Sequence, residues 1–229
     1  MVIAIVLLLL LLLILGPQWW AKRTFRRYGN PLPRIPGDGA SLARHLLEKL
    51  GMNDVQVEEG KPGTDHYDPE RRVVCLGTDN YNNPSLTAIA VAAHEVGHAI
   101  QHHRGERMLA LRTRLVKFAV TFQQLGAAVM MLLTLVMIIT RVPAAGLVMA
   151  VAGLGSMASA SLVHLVTLPV EFDASFGKAL PILKQGGYVE AADEKSVRRV
   201  LRAAALTYVA GSLASLLNLA RWIAFLRRA

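Results

Sequence analysis

Four long apolar blocks dominate the sequence and limit the folds that are open to it. They cover residues 2–20, 118–139, 144–168 and 203–226 of a chain of 229 residues. Each block has about the 20 residues that an α-helix needs to cross a bilayer. The composition, 53% hydrophobic, is unusual for a soluble globule of this size. The blocks therefore predict four transmembrane helices.

The first and the middle blocks carry further signals. A cleaved signal peptide is the alternative for residues 2–20, but this block lacks a basic start and a small-x-small cleavage site. Trp19 and Trp20 end this block where an interfacial aromatic belt would lie, which favours a retained anchor.

A very short turn at 141–143 separates the second and third blocks. It predicts a transmembrane hairpin over 118–168.

The net charge of +9 raises the question of a nucleic-acid partner. Many of the basic residues lie beside the apolar blocks: Lys22, Arg23, Arg26, Arg27, Arg104, Arg107, Arg112, Arg114 and Lys117. Such placement is typical of charges that flank a lipid bilayer, and no base-reading module accompanies them. We therefore expect a lipid bilayer and no nucleic acid as partner. The positive-inside rule places the polar segments in the cytoplasm.

The single Cys75 excludes an intramolecular disulfide.

The polar parts of the chain predict a small mixed domain. Residues 21–117 contain short helical and strand patterns at 38–50, 55–59, 64–67, 71–76 and 84–103. The strand at 71–76 could offer its edge to an extended substrate. A second polar segment, 169–202, precedes the last block. The predicted fold class is thus an α+β integral membrane protein, with four transmembrane helices and a short sheet beside a helix at the membrane face.

The pattern H-E-x-x-H at residues 94–98 carries the chemistry of the sequence. Residues four apart share one face of a helix, so His94 and His98 can bind one zinc ion. Glu95 lies beside them and can take a proton from zinc-bound water and pass it to a leaving amine. Two ordinary histidines of a helix, without a metal, are the alternative explanation of this pattern. As a zinc motif, H-E-x-x-H predicts a zincin-like catalytic region over 21–117.

Catalytic zinc uses three protein ligands, so a third one is needed. The extension H-E-x-x-H-x-x-G-x-x-H is excluded, because Gln101 and Arg104 occupy its positions. The predicted hairpin returns the segment after residue 168 to the side of the H-E-x-x-H helix. Glu171 in that segment is therefore the preferred third ligand. Asp173 could take its place, or could orient a histidine from the second shell.

Two further polar residues are weaker candidates. Tyr208 could donate its hydroxyl to an oxyanion, although a tyrosine near the end of a span also serves as an interface anchor. His164, within the third block, could be functional because ionisable groups are costly in lipid, or could make a hydrogen bond between helices. We expect His102 and His103 at the surface, one turn beyond His98.

Four longer motifs lie between residues 63 and 210: GTDHYDPERRVVCLG, YNNPSLTAIAVAAHEVGHAIQH, LPVEFDAS and RAAALTYVA. In these motifs and their order, the sequence resembles the YugP-like neutral zinc metallopeptidases of bacterial membranes. This resemblance implies a membrane-bound zinc peptidase with ligands His94, His98 and Glu171 and catalytic Glu95. HtpX and CaaX-type membrane gluzincins are more broadly similar. In those, an aspartate four residues after the glutamate binds a zinc-bound histidine, whereas this chain has Ser175 there.

We therefore expect a zinc-dependent metalloendopeptidase in the inner membrane of a bacterium, with its active site at the cytoplasmic face and Zn²⁺ as cofactor. Its substrates would be proteins or peptides, membrane proteins among them. The main alternative is a non-catalytic membrane adaptor or scaffold with a structural zinc site, which would not need the base Glu95. A zinc transporter is less consistent with four spans that lack buried acidic pairs.

Overall fold

The computed structural model describes residues 16–140, Gly155, Val163 and residues 166–207. The elements of the first described range are α1 (16–28), α2 (Gly39–Lys49), β1 (Gln56–Gly60), β2 (His66–Asp68), β3 (Val73–Gly77), α3 (Thr78–Tyr81), α4 (Leu86–His103) and α5 (Arg107–Thr140). Those of the later range are α6 (166–172), a π-helical segment (Asp173–Ala179), α7 (Leu180–Gln185) and α8 (194–207).

The three strands form one sheet in the order β1-β3-β2. β3 pairs in parallel with β1 and antiparallel with β2, so both of its edges are used. Its apolar residues Val73, Val74 and Leu76 are buried, as expected for a central strand. The expectation that the strand at 71–76 offers a free edge is therefore wrong. β2 lies at an edge of the sheet instead.

Helix α4 is the centre of the described core. Ser85 caps its N-terminus by accepting a hydrogen bond from the backbone N–H of Ala88 at 3.1 Å. The helix is buried continuously from Leu86 through Gln101, because its many alanines let neighbours approach on several sides. The surrounding core includes Leu42, Leu46 and Leu47 of α2, Val74 and Leu76 of β3, and Leu183, Val197, Val200 and Leu201 of the later helices.

Gly97 sets the distance between α4 and the π-helical segment. A Cβ at this position would lie 2.7 Å from the carbonyl oxygen of Ala174, closer than real Cβ contacts. Glycine is therefore required on this face of α4, between the two histidines of the H-E-x-x-H pattern. The close approach brings the start of the π-helical segment and the end of α6 against these histidines.

The predicted α+β character and small sheet are present, but the prediction of an integral membrane fold with four transmembrane helices is wrong. A crossing helix needs about 20 consecutive, mainly apolar residues. No helix in the ranges 16–140 and 166–207 is long and apolar enough to cross a membrane. The predicted second span, 118–139, lies in α5, whose first turns carry basic residues from Arg107 to Lys117. Most residues of the other three predicted spans lie outside the described parts of the chain.

Candidate metal centre

Three side chains from two distant parts of the chain converge on one point. His94 and His98 project from one face of α4, with their ring centroids 4.8 Å apart. Glu171, near the end of α6, places its Oε2 atom 3.1 Å from Nε2 of His94 and 3.3 Å from Nε2 of His98. One donor atom from each residue lies within 4.8 Å of the others, and all three residues are buried. The spacing suits a single metal ion.

Ser175 determines which nitrogen of His94 carries the proton. The Ser175 Oγ atom lies 3.0 Å from Nδ1 of His94. The same hydroxyl donates its hydrogen to the backbone carbonyl of Leu201 at 3.1 Å. Because a hydroxyl has only one hydrogen, Ser175 must accept at the histidine side. His94 is thus held with its proton on Nδ1 and its Nε2 atom turned towards Glu171.

Gln101 determines in the same way which nitrogen of His98 carries the proton. Its side-chain N–H₂ group donates to the carbonyl of Val170 at 3.0 Å and to the Asp173 carboxylate at 2.7 Å, which fixes the orientation of the amide. The Gln101 oxygen therefore faces Nδ1 of His98 at 2.9 Å and accepts a hydrogen bond from the Nδ1–H group. Both imidazoles are oriented by residues that touch Nδ1, as is usual for histidines that bind a metal through Nε2.

The contacts of the Glu171 carboxylate with Nε2 of His94 and His98 need a positive charge between these three side chains. Burial raises the pKa of Glu171, but the charge of His98 and hydrogen bonds from His94 and His98 outweigh it and lower the pKa below its ordinary value. Protons on both Nε2 atoms would place two imidazolium ions side by side in a buried site, which is costly. A metal ion supplies the charge without this repulsion.

The donor set also fits zinc. Two imidazole nitrogens and one carboxylate oxygen are the ligands of one common type of catalytic zinc site, which leaves the fourth position open. The other carboxylate oxygen of Glu171, Oε1, is buried and accepts no hydrogen bond, although the Arg112 Nη2 atom lies 3.5 Å from it. A buried carboxylate oxygen without a hydrogen bond is costly in a purely protein environment. The charge of a bound cation would reduce that cost.

Glu95 follows His94 on α4 and lines the same cavity. Burial raises the pKa of its carboxyl to about 7; His94 opposes this shift, and Glu171 and Asp65 add to it. A carboxyl with a pKa near neutrality can both accept and release a proton at neutral pH, which is the property required of a general acid–base.

A cavity of about 770 Å³ opens onto these groups. Its walls include Phe25 and Arg26 of α1, His66 and Tyr67 of β2, Val91 of α4 and Arg112 of α5. The Tyr67 hydroxyl lies 2.8 Å from Nδ1 of His102, so the edge strand is attached to the end of α4. Burial raises the pKa of Tyr67 to about 12, so the phenol remains protonated and is able to donate this hydrogen bond. The edge of β2 thus forms a fixed wall of the cavity.

The remaining predicted site residues lie in different places. Asp173 touches neither histidine; its Oδ2 atom accepts from Gln101 and, at 2.7 Å, from Lys178. It reaches His98 only through Gln101. Tyr208 and His164 lie outside the described residues. His103 is exposed, whereas His102 is half-buried against Tyr67.

Sequence reasoning did not assign roles to Gln101 and Arg112. Gln101 lies three residues after His98, so helical spacing places it beside that histidine and could have identified it. Arg112 belongs to the run of basic residues that seemed to flank a span. In the structure its Nη2 atom lies 3.5 Å from Oε1 of Glu171. No sequence signal distinguishes it from its basic neighbours.

A buried helix with H-E-x-x-H, facing a glutamate from later in the chain across a cavity, is the arrangement of zinc-dependent peptidases. Comparison with known families agrees: the family described as "Putative neutral zinc metallopeptidase" matches residues 3–227. The chain belongs to this family of neutral zinc metallopeptidases.

A curated relative is similar along nearly the whole chain. It is the "Putative membrane protease YugP" of Bacillus subtilis (strain 168), which is 39% identical over 214 residues, covering 91% of this chain and 91% of that protein. The resemblance to YugP-like metallopeptidases, first seen in the motifs, is thereby confirmed. No solved structure matches this chain.

Proposed function

We propose that this chain is a zinc-dependent metalloendopeptidase in which His94, His98 and Glu171 hold the metal and Glu95 is the general base. The observation that carries the proposal is the convergence of the three donor groups beside a buried carboxyl in one cavity. The orientation of both imidazoles by Ser175 and Gln101 supports it, because such contacts fix a histidine for metal binding.

The chemistry follows from the roles of the residues. Bound zinc would act as a Lewis acid towards the scissile carbonyl and increase the acidity of water. Glu95 takes the proton of the attacking water while the water oxygen bonds to the carbonyl carbon. Glu95 then gives that proton to the amide nitrogen as the C–N bond breaks. The raised pKa of Glu95, about 7, suits both transfers.

An extended peptide is the substrate class that the cavity favours. His66 and Tyr67 of β2 line the cavity, and β2 is an edge strand. The backbone groups of an edge strand can pair with an extended chain, which aligns a peptide bond without requiring a particular side chain. A protein segment bound in this way can continue beyond both ends of the strand, which agrees with cleavage inside a chain.

We also place the activity at the cytoplasmic face of a bacterial membrane, with membrane proteins among the substrates. One support is that the B. subtilis relative is named a membrane protease. The other is an exposed Trp19 whose ring lies 5.3 Å from the Arg23 guanidinium. Aromatic and basic side chains of this kind favour a membrane surface. Fractionation of cells is the test, and recovery of the chain entirely in the supernatant would contradict this location.

The decisive experiment for the activity compares the zinc-loaded wild type with Glu95→Gln on an unfolded protein substrate such as casein. We expect the variant to retain zinc and to lose cleavage by at least about a hundredfold, because a general base contributes about 10²–10⁴. Equal turnover by the two proteins would exclude peptide hydrolysis at this site. It would favour a structural zinc site, as in an adaptor or scaffold.

A further inference from the structure

A closed ring of four residues lies next to His98. It begins at Gln101, whose side-chain N–H₂ group donates to Oδ2 of Asp173 at 2.7 Å. The same Oδ2 atom lies 2.7 Å from Nζ of Lys178, and this Nζ atom lies 3.0 Å from Oε1 of Glu106. The backbone N–H of Glu106 donates to the backbone carbonyl of Gln101 at 2.9 Å and closes the ring. The Lys178 side chain, the one cation among these four residues, is only 12% exposed.

The π-helical segment places Lys178 beside Asp173. These residues are five apart in the chain, and both belong to the segment Asp173–Ala179. A π-helix joins residues five apart by hydrogen bonds, so their side chains lie close together along one side of the helix. In an α-helix, with 3.6 residues per turn, the same two side chains would point in different directions. Gly177 supplies the space for the carboxylate, because a Cβ there would overlap Oδ1 of Asp173. The local backbone therefore favours this ion pair.

Lys178 keeps the Asp173 carboxylate within reach of Gln101. The Asp173 side chain is 39% exposed, and Glu106, a second acid, shares the same lysine. Without the lysine the two carboxylates would repel each other, and the Asp173 carboxylate could turn towards water, where its charge is better solvated. With the lysine present, the Oδ2 atom accepts from both Lys178 and the Gln101 amide. The ion pair thus holds an anionic acceptor against the N–H₂ group of Gln101.

The orientation of the Gln101 amide determines which tautomer of His98 is favoured. In the observed orientation the amide oxygen accepts from Nδ1–H, and Nε2 keeps a lone pair that can bind a metal. A reversed amide would donate to Nδ1, and a neutral His98 would then carry its proton on Nε2. The Glu171 carboxylate, 3.3 Å from Nε2, would accept a hydrogen bond from that tautomer, which could not bind a metal through Nε2. Asp173 opposes the reversal, because it would bring the amide oxygen against the carboxylate.

We propose that Lys178 is a positioning residue of the metal centre: through Asp173 and Gln101 it holds His98 in the tautomer that leaves Nε2 free for zinc. This rests on the proposed function in that zinc is the bound ion. Lys178 does not line the cavity, so its effect is expected in zinc affinity and not in contacts with a substrate.

The test measures the zinc dissociation constant of the full chain by competition with a chromophoric chelator. We expect Lys178→Gln to weaken zinc binding by about fivefold, within the range of couplings inside one hydrogen-bond network. Lys178→Arg should restore most of the affinity, because it keeps the positive charge. Lys184→Gln is the matched control. That lysine pairs with Glu194 at 2.9 Å and lies on the following helix, and its loss should leave zinc affinity unchanged.

A double-mutant cycle separates positioning from a general structural role. Gln101→Ala removes the residue through which Lys178 acts, so adding Lys178→Gln to it should weaken zinc binding no further. A general structural role would lower the affinity by the same factor with and without Gln101. Gly177→Ala is a second variant, which keeps every charge but displaces the Asp173 carboxylate. It should weaken zinc binding as Lys178→Gln does, and this loss should also vanish in the Gln101→Ala background.

Nitrogen-15 NMR of the zinc-loaded chain observes the Nδ1–H group of His98 directly. Because this group donates to the Gln101 oxygen, its proton should exchange slowly with water in wild type and in Lys184→Gln. We expect faster exchange, or loss of the signal, in Lys178→Gln and in Gly177→Ala. This measurement does not depend on turnover.

Three results would overturn the inference: equal zinc affinity in Lys178→Gln and wild type, an equal loss with and without Gln101, or an unchanged exchange rate of the His98 Nδ1–H proton in Lys178→Gln. A wild type that binds zinc and shows the expected cycle, but cleaves no peptide, would support the role of Lys178 and refute the proposed peptidase. A wild type that binds no zinc would refute the proposed metal centre and this inference together.

Discussion

The hydroxyl of Ser175 bridges Nδ1 of His94, at 3.0 Å, and the backbone carbonyl of Leu201, at 3.1 Å. We therefore expect Ser175→Ala to weaken zinc binding by about 10–100-fold, the usual effect of losing a group that orients a metal ligand. The dissociation constant can be measured by competition with a chromophoric chelator. Ser41→Ala, at an exposed serine of α2, is the control and should bind zinc as wild type does. An unchanged constant in Ser175→Ala would show that packing alone orients His94.

Zinc should stabilise the folded chain through Glu171 and without help from Glu95. A ligand that binds only the native state raises the free energy of unfolding by RT ln(1 + [L]/Kd), about 4 kcal/mol at a thousandfold excess over Kd. We expect a chelator to lower Tm of wild type and of Glu95→Gln by similar amounts, and added zinc to restore it. Glu171→Ala should show little response. A zinc-dependent Tm in Glu171→Ala would place the ion elsewhere.

Gly97→Ala should separate α4 from the π-helical segment. Its Cβ would meet the Ala174 carbonyl oxygen at 2.7 Å, and overpacking of this kind costs about 1–3 kcal/mol. We expect a lower urea midpoint and weaker zinc binding, because the same contact positions Glu171. Gly126→Ala on α5 is the control: no atom lies within 4 Å of the added Cβ there, so stability should be unchanged or slightly higher. Equal midpoints for wild type and Gly97→Ala would contradict the tight contact.

The ion pairs of Lys178 should make a stabilising contribution that disappears at high pH. Its Nζ atom lies 2.7 Å from Asp173 and 3.0 Å from Glu106. Burial lowers the pKa of Lys178, but hydrogen bonds to these two carboxylates outweigh it and raise the pKa above its ordinary value of 10.5. A raised pKa in the folded state means that this contribution is complete below the unfolded-state pKa and is lost as pH rises through the folded-state value.

The corresponding measurement compares urea unfolding of wild type and Lys178→Gln between pH 7 and 11.5. We expect a constant difference of about 2 kcal/mol up to about pH 10 and a decreasing one above it. Lys195→Gln, at an exposed lysine of α8, is the control and should differ little from wild type at any pH. A difference that grows with pH would have the wrong sign for this ion-pair network.

Part of the candidate metal centre could be predicted from the sequence, because the spacing of residues within one helix determines which of them share a face. The four-residue spacing places His94 and His98 on one face of any helix that contains them, and the buried α4 shows this directly. The sequence points to Glu171 only through a predicted membrane hairpin. Its observed approach, however, depends on the contact of Gly97 with Ala174. Hydropathy identified apolar stretches but not the packing of α6 against α4.

Other parts could not be read from the sequence. Arg112 has the same charge as neighbours that face solvent, and only the direction of α5 brings its guanidinium near Glu171. Ser175 departs from the aspartate of related sites, so sequence comparison left the partner of His94 open. Hydropathy also led to the incorrect four-span fold class. The length of an apolar stretch does not by itself determine whether its residues form a membrane-spanning helix.

The distance in sequence between the two halves of the centre has a consequence for biosynthesis. His94 and Glu171 are separated by 77 residues, and the carbonyl that orients Ser175 belongs to Leu201, which lies 26 residues after Ser175. A ribosome therefore releases the H-E-x-x-H helix long before the other residues of the proposed zinc site. A nascent or prematurely terminated chain that ends before Glu171 carries the two histidines and Glu95 but only part of the proposed ligand set. Completion of the proposed site is thus tied to translation of α8, and incomplete chains lack part of the set of residues that we propose for zinc binding.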